Sequence, residues 1–146
     1  MDIIRVTDDN GRLVEPDWLG RAAAVHRQLR PQLPNDYSGR MRAIFASGGE
    51  MCVAVTEGRV AGVAVFRCFE NTHAGRKFYV DDLVTDEAAR SSGVGHALLV
   101  FLEKLARARG CTGIELDSGT HRKRAHKFYF REGFLISSFA FRKEFE

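Results

Sequence analysis

A turn suited to binding an anion lies in the second half of the chain. It reads Arg90-Ser91-Ser92-Gly93-Val94-Gly95, between an apolar strand predicted over 78–85 and an amphipathic helix predicted over 94–109. The first amides of a helix have no partner within the helix, and the helix dipole is positive at that end. A strand, a glycine-containing turn and a helix start therefore predict a phosphate-binding site.

The same turn argues against two common phosphate ligands. It lacks the Lys-Ser/Thr pair of a nucleoside triphosphate loop and the third glycine of a dinucleotide fingerprint. The sequence therefore predicts a different phosphate-bearing cofactor.

Two acidic residues, Asp81 and Asp82, interrupt the apolar strand that precedes this turn. Successive residues of a strand face opposite sides, so at least one carboxylate would be buried if helices cover both faces of the sheet. An unpaired buried charge is very costly. Two explanations stay open: a cleft in which at least one carboxylate acts in catalysis, or structural carboxylates paired with arginines.

The other residue types with chemical potential give weaker signals. Tyr129 is predicted on the inward face of a helix over 122–132, where a tyrosine is by itself more typical of a core than of a catalyst. Cys111 is predicted to be a buried small hydrophobe. The five histidines and three cysteines have no metal-ligand spacing, so we expect no metal.

Length and composition limit the class of protein. The 146 residues, 45% hydrophobic and 28% charged, predict a single globular domain over 1–146. The formal charge of +3 is too small to indicate nucleic acid, although the basic residues of 121–131 favour an anionic ligand. We expect a cytoplasmic protein without a membrane or nucleic-acid partner, because the cysteine number is odd and no apolar stretch is long enough to span a membrane. The oligomeric state, including a homodimer, is left open.

The elements that must position these residues follow the order β-α-α-β-β-β-α-β-α-β. This order predicts an α+β fold with a single central mixed, mostly antiparallel sheet flanked by helices. The predicted helices are one from Pro16 to about Arg30, a short one capped by Asn35 or Asp36, and those over 94–109 and 122–132. After a first strand at the N-terminus, the predicted strands cover 51–56, 60–69, 78–85 and 113–117, with an extended end over 134–145.

The motifs in their order resemble the GNAT superfamily of acetyl-CoA-dependent N-acetyltransferases. The resemblance rests on Arg90-x-x-Gly93-x-Gly95 after the strand, followed by Ala125-x-x-Phe128-Tyr129-x-x-x-Gly133-Phe134. It covers essentially the whole chain in element order and is specific from about 78 to 134. The first fifty residues match only in general plan.

The resemblance implies acetyl-CoA as cosubstrate and assigns residues to it. Backbone amides of 90–96 would hold the pyrophosphate, the pantetheine arm would lie along the strand at 83–85, and an amide near Leu83 would polarise the thioester carbonyl. Arg122 stands where many members have an asparagine that contacts the arm, so a phosphate or an acidic group of the substrate is the alternative contact for Arg122. Ser91-Ser92 replaces a cation by two hydroxyl donors. The full predicted set is Leu83, Val84, Thr85, Arg90, Ser91, Ser92, Gly93, Val94, Gly95, His96, Arg122 and Phe128.

The implied chemistry is direct attack of a neutral amine on the thioester. An unperturbed alkyl amine has a pKa of about 10.4, so it must lose a proton before it attacks. The predicted roles are Asp81 as the base through a water, Asp82 as the group that holds the ammonium, and Tyr129 as the acid that protonates the departing thiolate. The two aspartate roles could be exchanged. The expected acceptor is a small-molecule primary amine; a protein lysine or N-terminal amine, or a non-catalytic acyl-CoA-binding module, are the alternatives.

Overall fold

The computed structural model of the protein describes residues 1–146. Its backbone contacts divide the chain into two compact units, Met1–Glu115 and Leu116–Glu146. No helix combines the length and the apolar character needed to cross a membrane.

A five-stranded mixed sheet with four α-helices confirms the predicted fold class. The sheet order is β1-β2-β3-β4-β5, and β1 to β4 are joined by antiparallel pairs. The elements are β1 (Asp2–Arg5), α1 (Pro16–Leu29), α2 (Tyr37–Ala46), β2 (Gly49–Thr56), β3 (Arg59–Asn71), β4 (Gly75–Thr85), a short 3₁₀ turn (Glu87–Ala89), α3 (Val94–Ala108), β5 (Ile114–Leu116) and α4 (Lys123–Arg131).

Local sequence explains where the first elements begin and end. Pro16 is the first residue of α1, where a missing amide hydrogen costs nothing. The Asp36 carboxylate accepts a hydrogen bond of 2.9 Å from the Gly39 amide and so caps α2. Glu57 and Gly58 have φ values of 52° and 73°, the left-handed backbone that suits a two-residue hairpin turn between β2 and β3.

The two faces of the sheet are covered by different helices. Val53, Val63 and Val65 pack with α1 and α2 in the main core. On the other face Gly62 lies against α3, where a Cβ atom would come within 2.6 Å of the Val94 Cγ1 atom. The backbone of β3 therefore contacts the start of α3 directly, and this contact fixes the preceding turn beside the sheet.

The extended end predicted over 134–145 forms no strand, so that expectation was wrong. Its large apolar residues are exposed: Leu135, Ile136, Phe139, Phe141 and Phe145. The apolar residues of this segment suggest a strand locally, but a strand exists only when another strand completes its hydrogen bonds, and no ladder includes these residues. The β4 strand also begins at Gly75 rather than at Phe78, because its hairpin with β3 continues to the Asn71–Gly75 pair.

Candidate active site

A β-bulge places both aspartates of β4 on one face of the sheet. Val65 pairs with Asp82 while the next residue of β3, Phe66, pairs with Val80, which leaves Asp81 as the extra residue. Asp82 falls in line with Val84, which packs against the core under α1. The Asp81 carboxylate binds Arg67, two residues along β3 from the core residue Val65 and on the same face. The premise that the two side chains would face opposite sides was therefore wrong, because alternation fails at a bulge.

Asp82 accepts hydrogen bonds from two residues one turn apart on and just after α1. His26 Nε2 lies 2.6 Å from Oδ2, and Arg30 donates from Nε at 2.8 Å and from Nη2 at 2.6 Å to Oδ1. Burial alone would raise the pKa of Asp82, but the hydrogen bonds and charges of His26 and Arg30 outweigh it and hold the pKa below its ordinary value. Asp82 is therefore an ionised carboxylate at neutral pH.

The His26 ring continues this network to the start of α2. His26 is almost fully buried, and its Nδ1 atom lies 2.7 Å from the Tyr37 hydroxyl. Burial raises the pKa of Tyr37 far above its ordinary value, so the hydroxyl keeps its proton and can donate it to Nδ1. The Nε2 atom then carries the hydrogen that Asp82 accepts. Tyr37, His26 and Asp82 thus form one chain of hydrogen bonds across α2, α1 and β4.

Asp81 forms a forked ion pair with Arg67 at the more exposed end of the bulge. The Arg67 Nε atom lies 2.7 Å from Oδ2 and its Nη2 atom 2.9 Å from Oδ1. The Arg67 guanidinium also lies over the rings of Phe69 and Tyr79, each with its centroid 5.3 Å away. Both aspartates are thus paired with an arginine, as the structural explanation expects, and both remain partly open to solvent.

The turn before α3 has the features that phosphate binding requires. Gly93 is the N-cap residue with φ of 83°, no side chain caps the helix, and its first turn contains no acidic residue. A Cβ atom on Gly93 would meet nothing within 4 Å, so the backbone there is open to a ligand. The Ser92 hydroxyl donates to the Ala89 carbonyl, so only Ser91 offers a hydroxyl not already engaged in this way. The Val94 side chain is buried, which leaves its backbone amide as the group that could reach a phosphate.

Tyr129 belongs to the second unit and is buried, with 8% of its surface exposed. Its ring packs against Phe128 and Phe134, whose centroids lie 5.5 and 5.7 Å away. Burial raises the pKa of Tyr129, and the charge and hydrogen bond of Arg122 oppose that effect only in part. The hydroxyl therefore carries its proton at neutral pH, and Arg122 is directed at that hydroxyl.

Sequence reasoning missed the partners of the two aspartates: Tyr37, His26, Arg30 and Arg67. One signal for them was present, since His26 falls four residues before Arg30 on the apolar side of α1. A histidine among core residues requires a polar partner, and Asp82 is one of the two acidic residues inside an apolar strand. No three His, Cys, Asp or Glu side chains are grouped so that they could hold a metal ion. Cys111 is buried, as the sequence predicted.

A model of the acetyltransferase (GNAT) family matches residues 17–134, and the chain belongs to that family. It is 43% identical over 72 residues to an uncharacterized N-acetyltransferase, YhdJ, of Bacillus subtilis, covering 49% of this chain and 51% of the relative. It is 34% identical over 92 residues to the aminoalkylphosphonate N-acetyltransferase of Salmonella typhimurium, covering 62% of this chain and 60% of the relative. The matched segments thus span between half and three fifths of these relatives.

The fold is shared with solved acetyltransferase structures. The aminoglycoside N-acetyltransferase AAC(6')-Iy in complex with CoA superposes with a TM-score of 0.83 at 16% identity, over 98% of this chain and 93% of that one. At this identity the likeness concerns the fold alone.

Proposed function

We propose that this chain is an acetyl-CoA-dependent N-acetyltransferase that acts on the primary amine of a small molecule. The observation that carries the proposal is the family match over 17–134, because that range includes both the turn before α3 and the Phe128-Tyr129 motif. The aminoalkylphosphonate in the name of one relative favours a small acceptor over a protein. Residues 1–146 are proposed to form a single acetyltransferase domain, since the match runs through both units. A cytoplasmic location is supported by the three free cysteines.

Acetyl-CoA would supply the activated acetyl group, and the chain's own residues would bind it. The uncapped amides after Gly93, with the glycine at 95, fit a pyrophosphate that needs close approach to the backbone. Arg90, Ser91 and His96 complete the proposed phosphate contacts, and residues 83–85 of β4 would lie along the pantetheine arm. The amide near Leu83 would donate a hydrogen bond to the oxygen on which charge develops during attack.

The geometry supports the two predicted roles, with Asp81 as the base and Asp82 as the group that holds the ammonium. Asp82 has a low pKa, so it binds a cation well and accepts a proton poorly, as suits a group that holds the substrate ammonium. The Asp81 side chain is 32% exposed against 14% for Asp82. Solvent can therefore reach Asp81, as its proposed role as base through a water requires.

Tyr129 is proposed as the acid that protonates the CoA thiolate. The raised pKa of its hydroxyl keeps the proton in place until a thiolate forms, and the nearby Arg122 cation stabilises the phenolate that proton transfer would leave.

The test is release of free thiol from acetyl-CoA in the presence of an amine panel. The panel contains an aminoalkylphosphonate, an amino sugar, an aminoglycoside, a lysine peptide and a peptide with a free N-terminus. We expect thiol release with at least one small amine, and mass spectrometry should find the acetyl group on its nitrogen. Transfer to peptides alone would replace the small-molecule proposal by a protein acetyltransferase. Tight binding of acetyl-CoA without thiol release from any amine would indicate a non-catalytic acyl-CoA-binding module.

A further inference from the structure

Two half-exposed guanidinium groups lie on the outer side of the aspartate pair. The Arg30 and Arg67 side chains are each 42% exposed, whereas their partners Asp82 and Asp81 are 14% and 32% exposed. The carboxylates are thus the inner members of both ion pairs, and the guanidinium groups are the outer members. A ligand that approaches from solvent would meet the cations together with the carboxylates.

Both guanidinium groups converge on Asp81. Arg67 binds its carboxylate, and the Arg30 Nη2 atom donates to its backbone carbonyl at 3.2 Å. Each arginine uses its Nε and Nη2 atoms for the aspartates, so the Nη1 atom of each is left with hydrogens to donate. Planar guanidinium groups with free N–H donors are the usual partners of phosphonate, phosphate and carboxylate groups.

The local charge is balanced rather than negative. Two carboxylates face two guanidinium groups, so a ligand that carries only positive charge gains little net attraction from this cluster. An amine with an anionic group of its own matches both signs, with the ammonium against Asp82 and the anion against the free guanidinium donors.

We infer that the acceptor amine carries an anionic group, a phosphonate, phosphate or carboxylate, that Arg30 and Arg67 bind. This inference rests on the proposed acetyl transfer and names the class of its substrate. It assigns Arg30 and Arg67 as residues that determine specificity.

The first experiment compares acceptors that differ only in the anion. The values of kcat/KM are measured for 2-aminoethylphosphonate against ethylamine and for glucosamine 6-phosphate against glucosamine. We expect the anionic member of at least one pair to be preferred by about tenfold or more, the usual effect of a hydrogen bond between charged groups. Equal use of both members of both pairs would overturn the inference while leaving acetyl transfer intact.

The second experiment asks whether the arginines cause the preference. In Arg67→Gln and Arg30→Gln the ratio within the preferred pair should fall toward one, and in the exposed control Arg42→Gln it should stay at the wild-type value. Because both acceptors are measured on the same variant, any general loss of activity or folding cancels in the ratio. A wild-type ratio retained by both Arg67→Gln and Arg30→Gln would overturn the assignment.

A binding measurement separates the inference from the proposed function. Methylphosphonate, which has the anion but no amine, should raise the melting temperature of the wild type and of Arg42→Gln, but not that of Arg67→Gln. This stabilisation without acetylation of any amine would refute acetyl transfer and retain the anion site. No difference between wild type and Arg67→Gln, with the kinetic ratio unchanged, would refute the anion site.

Discussion

Replacing Asp82 by asparagine keeps the size of the side chain and removes its charge. The wild-type carboxylate accepts one hydrogen bond from His26 and two from Arg30. An asparagine has only one acceptor oxygen, so when that oxygen faces Arg30 its NH₂ group faces His26 Nε2. The histidine must then change tautomer to accept from it. The variant therefore loses a charge-assisted bond to a buried histidine and weakens the pair with Arg30.

The two losses differ in size because the two partners differ in exposure. The bond to buried His26 is worth about 1.5–3 kcal/mol, as is usual for a hydrogen bond to a charged group. The Arg30 side chain is 42% exposed. Its pair with Asp82 is therefore screened by solvent and adds about 0–1 kcal/mol. The sum of roughly 1.5–4 kcal/mol corresponds to a fall in Tm of roughly 4–12 °C for a chain of this length.

The difference in stability between wild type and Asp82→Asn depends on pH, and the lowered pKa of Asp82 fixes the direction of that dependence. The folded pKa of Asp82 is lowered from its ordinary value of 3.8. Its contribution to stability is therefore complete above that value and is lost as the pH falls through the lower folded pKa. Differential scanning calorimetry from pH 7 downwards should find the gap in Tm between wild type and Asp82→Asn constant near neutrality and shrinking below about pH 4.

In catalysis, Asp82→Asn should act mainly by weakening the binding of the amine. Loss of the carboxylate that holds the ammonium should raise the amine KM by roughly tenfold or more, with a smaller change in kcat. For stability, Asp81→Asn is the matched control, because its partner Arg67 is half-exposed and the ion pair contributes only about 0–1 kcal/mol. If Asp82→Asn melts like the wild type, or if Asp81→Asn is the less stable variant, our assignment of the interior network is wrong. Unchanged amine KM in Asp82→Asn would remove the ammonium role.

Four further outcomes are expected. Gly95→Val should weaken acetyl-CoA binding measured by calorimetry, because the added side chain meets the phosphates, and unchanged affinity in a folded variant would contradict the placement of the turn. Asp81→Asn should lower kcat/KM and remove the acidic limb of its pH profile, whereas a wild-type profile would mean that another group accepts the proton. Tyr129→Phe should lower the rate of the chemical step about 100-fold with little change in Tm, and the defect should shrink with a thioester whose leaving thiol has a lower pKa; full activity would return Tyr129 to the core. Tyr37→Phe should cost about 1–3 kcal/mol by removing the buried partner of His26, and should raise the amine KM while the acetyl-CoA KM stays constant; loss of stability without a change in either KM would make Tyr37 purely structural.

The sequence by itself determined the elements whose signals are local. The start of α1 follows from Pro16, the cap of α2 from Asp36, and the amphipathic helix α3 from apolar residues at helical spacing after a glycine turn. The anion-binding character of that turn was predictable for the same reason, since it depends only on the backbone of a helix start and on glycine.

Only the tertiary structure decided how the two aspartates are arranged. Alternation along a strand predicts opposite faces for Asp81 and Asp82, but the bulge opposite Val65 and Phe66 places both on one face. Asp82 there meets His26 of α1, and Asp81 meets Arg67 of β3. The partners His26 and Asp82 are 56 positions apart in the sequence, and no local pattern encodes such a pair. The residues after Phe134 also depended on the tertiary structure. A segment with a strand-like sequence becomes a strand only where a neighbouring strand forms hydrogen bonds with it. Local propensity fixes the conformation of a segment, whereas bulges, buried ion pairs and strand partners depend on contacts that exist only once the chain has folded.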